Sequence, residues 1–208
     1  MICSLWVVDV YVATIPKQID FTPLYPVERQ REIDTVKNEK TKRQKWCSWK
    51  LLEYAMERSF GIKMSECSFF KSDNGKWECD RFEFSLSHCD GAVAVAVAKK
   101  SIGVDIEKKR SFKYEKLFDK ILNENEKAVY LKKDECERQD FLLEKWTAKE
   151  SLFKCGGGKT FLPREHDTLG GNVFTKRLTL DTDDYVLSVA SDTPKDIRVY
   201  SDLDVFKK

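Results

Sequence analysis

The 208-residue chain predicts an α+β fold of two similar lobes, each made of helices packed on a small antiparallel sheet. Three observations carry this. Each half holds stretches of helical composition followed by short strand-like runs. The runs alternate and are bounded by turn residues, which favours antiparallel pairing. No low-complexity linker divides the halves, and the nearest boundary is Lys99-Lys100-Ser101. The expected lobes are therefore 1–100 and 101–208. The repeat is one of outline, since no stretch recurs letter for letter.

The elements follow in order. Residues 2–12 are β-branched and aromatic and read as a strand. Pro16, Pro23 and Pro26 make 13–26 a loop. Residues 27–60 read as two helices broken near Asn38, with Gly61 as the stop. A short strand at 67–71 precedes the turn Ser72-Asp73-Asn74-Gly75. Strands follow at 82–86, 92–98 and 103–107. Helices are expected at about 113–120, 123–132 and 138–155, then strands at 172–180, 185–190 and 197–200.

Composition excludes some functions. Charged residues make up 35% of the chain and hydrophobic ones 41%, a soluble globular balance. The net charge is only +2, so no nucleic-acid partner is expected. Residues 37–50 are locally rich in Lys and Arg, which suits an anion-binding face or a solvated helix. Seven cysteines, widely spaced and without C-x-x-C, argue against a disulfide framework or a zinc site and for a reducing cytoplasm. Neither a signal peptide nor a membrane span is expected.

Gly103-Val104-Asp105-Ile106-Glu107 carries the clearest chemistry. On a strand, Val104 and Ile106 point into a core while Asp105 and Glu107 share the other face. Paired carboxylates repel unless a cation or proton lies between them. They either hold a hard divalent metal or simply face water. On the helix from Phe141 to Cys155, 100° steps put Phe141, Leu142, Trp146, Ala148, Leu152 and Phe153 on one apolar arc. Lys145 and Lys149 fall within it, with Glu150 at its edge and Lys154 one turn on. These lysines either snorkel to solvent or meet anions. Ser87 and His88 stand at the mouth of a strand-to-turn junction, where hydroxyl, imidazole and turn amides suit either phosphate or a plain cap. Asn74-Gly75-Lys76 is a tight turn presenting a lysine. Gly156-Gly157-Gly158-Lys159 ends a helix and lacks Walker spacing, so it reads as a flexible stop.

Taken in sequence, Asn74-Gly75-Lys76, Phe84-Ser85-Leu86-Ser87-His88, Gly103-Val104-Asp105-Ile106-Glu107 and Trp146-Thr147-Ala148-Lys149-Glu150-Ser151-Leu152-Phe153-Lys154 resemble the Sfp-like 4′-phosphopantetheinyl transferases. The G-[IV]-D-[IV]-E and W-x-x-K-E-[SA]-x-x-K motifs are intact, and the chain length suits the monomeric two-lobe members. The resemblance implies coenzyme A bound between the lobes. It also implies Mg²⁺-dependent transfer of the 4′-phosphopantetheine arm to a serine of an apo acyl or peptidyl carrier protein, releasing adenosine 3′,5′-bisphosphate. By position it makes Asp105, Glu107 and Glu150 the metal ligands, with Asp105, Glu150 and Lys154 as the catalytic set. Lys76, Ser87, His88, Lys149 and Lys154 become coenzyme A contacts. Arg43, Arg29 and Arg31 are candidates for the 3′-phosphate, and Glu126, ahead of Glu124, is a further acid near the metal. The base is Glu150, Glu126 or a metal-bound water. For Lys149, anchoring the helix to a carboxylate is the alternative role. Trp77 replaces the usual Pro after Gly-Lys, and the first 70 residues match only in character. The rival readings are a metal-dependent phosphohydrolase and a non-catalytic coenzyme A or carrier-binding module.

Overall fold

The computed structural model describes residues 7–109, 117–170, 173–192, 196–201 and 203–206. Among the described residues, nine strands and five α-helices follow in chain order. They are β1 (Val7–Thr14), α1 (Val27–Asp34), α2 (Glu39–Phe60), β2 (Phe69–Lys71), β3 (Trp77–Cys79), β4 (Glu83–His88), β5 (Ala92–Ala98), β6 (Ile102–Lys108), α3 (Phe118–Ile121), α4 (Glu124–Tyr130), α5 (Glu135–Gly156), β7 (Val173–Leu180), β8 (Asp183–Ser191) and β9 (Asp196–Tyr200). The expected strand at 2–6 and the helical start at 113–116 lie outside the described residues. The α+β class holds.

The strands form a four-stranded sheet, order β4-β5-β1-β9, a three-stranded sheet, order β6-β8-β7, and the small hairpin β2-β3. The two larger sheets stack between two 22-residue helices, giving the layers α2, first sheet, second sheet, α5. Strand β5 shows how sequence builds this. Its residues alternate Ala and Val and are all buried. Val93, Val95 and Val97 fill the core under α2, while Ala92, Ala94, Ala96 and Ala98 face the second sheet. Valines reach the helix layer, and alanines let two sheets approach. Val104 and Ile106 join that inter-sheet core as expected.

The first sheet is built from strands between residues 7 and 98 and the second from strands between 102 and 191, with one exception. β9 returns to the first sheet and pairs in parallel with β1, Val8 beside Ile197 and Val10 beside Val199. The first sheet is therefore mixed rather than purely antiparallel, and the last strand of the second half completes the first lobe.

Edge strands β4 and β6 meet between the sheets. The Val104 amide donates to Ser85 Oγ (3.0 Å) and the Ile106 amide to Ser87 Oγ (3.3 Å). Serine hydroxyls thus satisfy ladder groups that would otherwise be buried and unpaired.

Helix α5 lies on the outer face of β6, at Gly103. A Cβ at 103 would overlap the Ser151 carbonyl oxygen and lie 2.6 Å from the Cys155 nitrogen. The helix face that packs there is Thr147, Ala148 and Ser151, whose hydroxyls fold back onto Leu143 O and Ala148 O. This corrects the expected apolar arc. Trp146, Leu152 and Phe153 are only half-buried, because close packing on β6 selects small residues over large apolar ones.

Gly103→Ala should destabilise the fold by about 3 kcal/mol or more, since backbone rather than a flexible side chain must yield. Gly156→Ala, whose new Cβ meets nothing, should leave stability unchanged or slightly raised. Urea unfolding of both variants checks the contrast.

Candidate active site

Because α5 sits so close to β6, one turn of helix stands over the D-x-E strand. Lys154 Nζ reaches Asp105 Oδ1 at 2.7 Å, Val104 O at 3.2 Å and Ser87 Oγ at 3.3 Å, with Glu150 Oε2 at 3.7 Å. Ser87 donates its proton to Asp105 Oδ1 (2.7 Å). Asp105 is 2% exposed, and its second oxygen, Oδ2, is buried without a hydrogen-bond partner. Glu107 follows on the same strand face, half-buried.

Glu150 registers the excess of negative charge. Burial, then the neighbouring Asp105 carboxylate, push its carboxyl up to about 7. The orphaned Asp105 oxygen and the raised Glu150 both mark an oxygen-rich wall short of positive charge. A hard divalent cation fits such a donor set. The three carboxylates share this wall but are not gathered to within 4.8 Å of one another, since among the described residues only Cys67, Cys79 and Asp80 meet that distance. Lys154 holds Asp105 Oδ1 instead.

Beside this wall a cavity of about 420 Å³ opens between the lobes. Residues 74–77 and 84–86 line it from the first lobe, with Arg29. Phe153, Lys154 and residues 157–159 line it from the second. Asn74 Nδ2 spans the lobes, donating to Gly157 O at 3.1 Å. Lys76 lies in the cleft wall. His88 is exposed at the end of β4, its basicity lowered by burial of the ring's surroundings and by the charges of Lys154, Lys45 and Arg29.

Other expected contacts fall elsewhere. Lys149 is fully buried. Its three ammonium protons go to Glu126 Oε2 (2.7 Å), Pro163 O (2.9 Å) and His166 O (2.5 Å). It therefore has no donor left for a coenzyme A phosphate, and the helix-anchoring role is the one it performs. Glu126 is also fully buried. Besides Lys149, it accepts from Asn123 N, Thr168 N and Thr168 Oγ1, so it faces neither metal nor substrate. Ser87, 6% exposed, is committed to Asp105 rather than to a ligand phosphate. Arg43 donates to Lys17 O and lines a separate cavity of about 340 Å³ with Lys40 and Asp90. Arg31 is exposed on α1.

Two cleft residues were weaker in the sequence than in the structure. Arg29 is buried, stacks 4.8 Å from the Trp49 ring centroid and pairs with Glu32 at 3.1 Å, yet its Nε has no partner. Glu32 also takes Trp77 Nε1 and Lys71. Burial alone would raise its carboxyl, but these hydrogen bonds and the Arg29 charge hold it at about 2. Lys159 follows the glycine stop and lines the cleft. Gly157 does end α5, in the left-handed conformation at φ 65°, but the loop it begins is also cleft wall.

Fold and site together define a class. Residues 101–190 match the family model of the 4′-phosphopantetheinyl transferase superfamily, a stretch that carries Asp105, Glu107, Glu150 and Lys154. This match and the motifs support an Sfp-like 4′-phosphopantetheinyl transferase family. One curated relative is the 4′-phosphopantetheinyl transferase Sfp of Bacillus subtilis (strain 168), 28% identical over 116 residues. That alignment spans 54% of this chain and 51% of the relative, so the chain matches about half its length.

The buried pair yields one prediction. Lys149→Met should cost about 3–5 kcal/mol by leaving the Glu126 charge buried and unpaired. Adding Glu126→Gln to Lys149→Met should recover much of that loss in chemical denaturation. The raised Glu150 carboxyl yields another. Its folded value exceeds its ordinary 4.5, so its contribution to stability is fully present below about pH 4.5. It is lost as pH rises towards 7. Unfolding free energies measured in chelator should fall across that window, and Glu150→Gln should flatten the fall.

Proposed function

We propose that this chain is a 4′-phosphopantetheinyl transferase of the holo-carrier-protein synthase type. It moves the phosphopantetheine arm of coenzyme A onto a serine of an apo acyl or peptidyl carrier protein and releases adenosine 3′,5′-bisphosphate. The observation that carries this reading is the Asp105–Glu150–Lys154 wall beside a cationic cleft between the lobes.

Asp105, Glu107 and Glu150 would hold Mg²⁺, which supplies charge neutralisation at a pyrophosphate when bound. Lys154 keeps a fixed ammonium beside Asp105, positioned where negative charge develops as the P–O bond breaks. Ser87 and the Val104 carbonyl hold that ammonium in place. Arg29, Lys76 and Lys159 put three cationic side chains on the cleft wall for the phosphates, and His88, exposed at the end of β4, is a further candidate contact. Trp77 and Phe153 provide apolar surface for a flat ring. Glu150, whose carboxylate lies 3.7 Å from Lys154 Nζ, is the group we assign to taking the proton of the serine hydroxyl. Glu126 is withdrawn as a base by its burial. The molecule acts as a monomer in a reducing cytoplasm. The six described cysteines are all free thiols, which supports that compartment.

Mass spectrometry of an apo carrier protein after incubation with coenzyme A and Mg²⁺ should show the gain of one phosphopantetheine. Chelator should abolish the gain, and Asp105→Asn should remove activity while the thermal transition persists. Lys154→Ala should lower kcat by about 10²–10³. Release of phosphate products without any carrier gaining mass would support the phosphohydrolase reading instead. Binding of coenzyme A without either reaction would leave a binding module.

A further inference from the structure

We propose a second metal site, for a soft divalent cation of the zinc type, formed by Cys67, Cys79 and Asp80 at the open end of the β2–β3 hairpin. These side chains each bring one ligand atom within 4.8 Å of the others. The hairpin register explains how. Phe69 pairs with Cys79, so Cys67, two residues before Phe69, lies on the same face as Cys79 and diagonal to it. Twelve positions apart in sequence, the thiols meet because residues 72–75 turn the chain between them.

A metal suits this geometry better than a disulfide. Diagonal cross-strand residues have Cα atoms about 7–8 Å apart, beyond the usual disulfide span. A tetrahedral zinc with sulfur bonds near 2.3 Å instead places its two sulfurs roughly 3.8 Å apart. Soft thiolates with one carboxylate select zinc-like ions over magnesium. Asp80 is already oriented, since its Oδ1 accepts the Ser68 amide at 2.9 Å and lies 3.7 Å from Cys79 Sγ. A hydrogen bond of this kind is what aims a ligating carboxylate. Cys67 is 4% exposed, Cys79 half-buried and Asp80 exposed. The open fourth position therefore faces solvent and takes water.

The chemistry balances. An ordinary cysteine thiol is protonated at neutral pH, so both carry protons without metal. Binding one divalent cation to two thiols and one carboxylate releases two protons and leaves a net charge of −1. The Arg81 guanidinium beside Cys67 offsets that charge. The hairpin also gains from a clamp. Its strands are three residues each, and so short a ladder is marginal in isolation. The same hairpin carries residues 74–77 of the cleft wall and the Asn74 bridge to Gly157. Metal at its open end therefore stiffens one side of that cleft.

The test is a Co²⁺ titration of the reduced full chain, followed by Zn²⁺ competition. One equivalent should give the near-ultraviolet thiolate-to-cobalt band expected for two sulfurs, with two protons released per ion. Zn²⁺ should displace the cobalt. Cys79→Ser should remove the band, and Asp80→Asn should weaken binding by about tenfold or more. Cys136→Ser, which removes the exposed thiol, and Asp105→Ala should both keep the band. Hydrogen exchange in residues 68–80 should slow on loading. Absence of a sulfur-to-cobalt band in the wild-type chain would overturn the proposal. So would uptake unaffected by Cys79→Ser in a variant whose metal-free thermal transition matches wild type. An intact mass lower by two hydrogens, with the 67 and 79 peptides linked, would show the pair closing as a disulfide instead.

Discussion

Helix α5 and strand β6 meet with no side chain between them at Gly103, and most of the candidate site follows from that contact. A residue with a Cβ would push the helix outward, and Lys154 would leave Asp105. The helix side of the seam is made equally thin by Thr147, Ala148 and Ser151, whose hydroxyls turn back onto their own helix. Backbone carbonyls and small side chains thereby bring Glu150 and Lys154 over the strand in a fixed register. The Ser85 and Ser87 hydroxyls hold the same strand from its open edge. Strand β6 is gripped on three sides, which is the rigidity a preorganised charge site needs.

Two lysines five residues apart on α5 have opposite fates, and local surroundings decide which. Lys149 points into a fully enclosed pocket, where a carboxylate and two carbonyls consume its donors. Lys154 points along β6 and stays about a quarter exposed at the cleft. The first fastens the 163–168 segment and α4 to the helix, and the second serves the site. A buried pair of this kind adds little net stability over an apolar substitute but is costly to break from one side.

Much of this was legible in the sequence. The D-x-E strand, the Glu150–Lys154 turn and the Asn74-Gly75-Lys76 hairpin are local patterns whose period or turn chemistry shows directly, and each appears where expected. What stayed hidden depends on packing partners. The apolar arc of α5 misled because the face against β6 is chosen for size, and Trp146 and Phe153 are too large for it. The roles of Lys149, Glu126 and Ser87 could not be separated from ligand contacts, because only tertiary neighbours show where their donors and acceptors go. Arg29 gave no local signal beyond its charge; its burial against Trp49 is a long-range contact. The Cys67–Cys79 pairing was obscured because wide spacing reads as unrelated until the turn between them is taken as a hairpin.

Strand β9 adds a temporal dimension to this architecture. It pairs with β1, so the first sheet joins segments from opposite ends of the described chain. A nascent chain that has made β1, β4 and β5 still presents β1 with an unpaired edge, and that edge must wait for the rest of the chain to be synthesised. Sheet closure across such a separation is entropically slow, and an open β1 edge is a template for wrong partners in the meantime. The two lobes are thus not independent folding units, and cutting the chain at the boundary near residue 100 would separate a sheet from its own last strand.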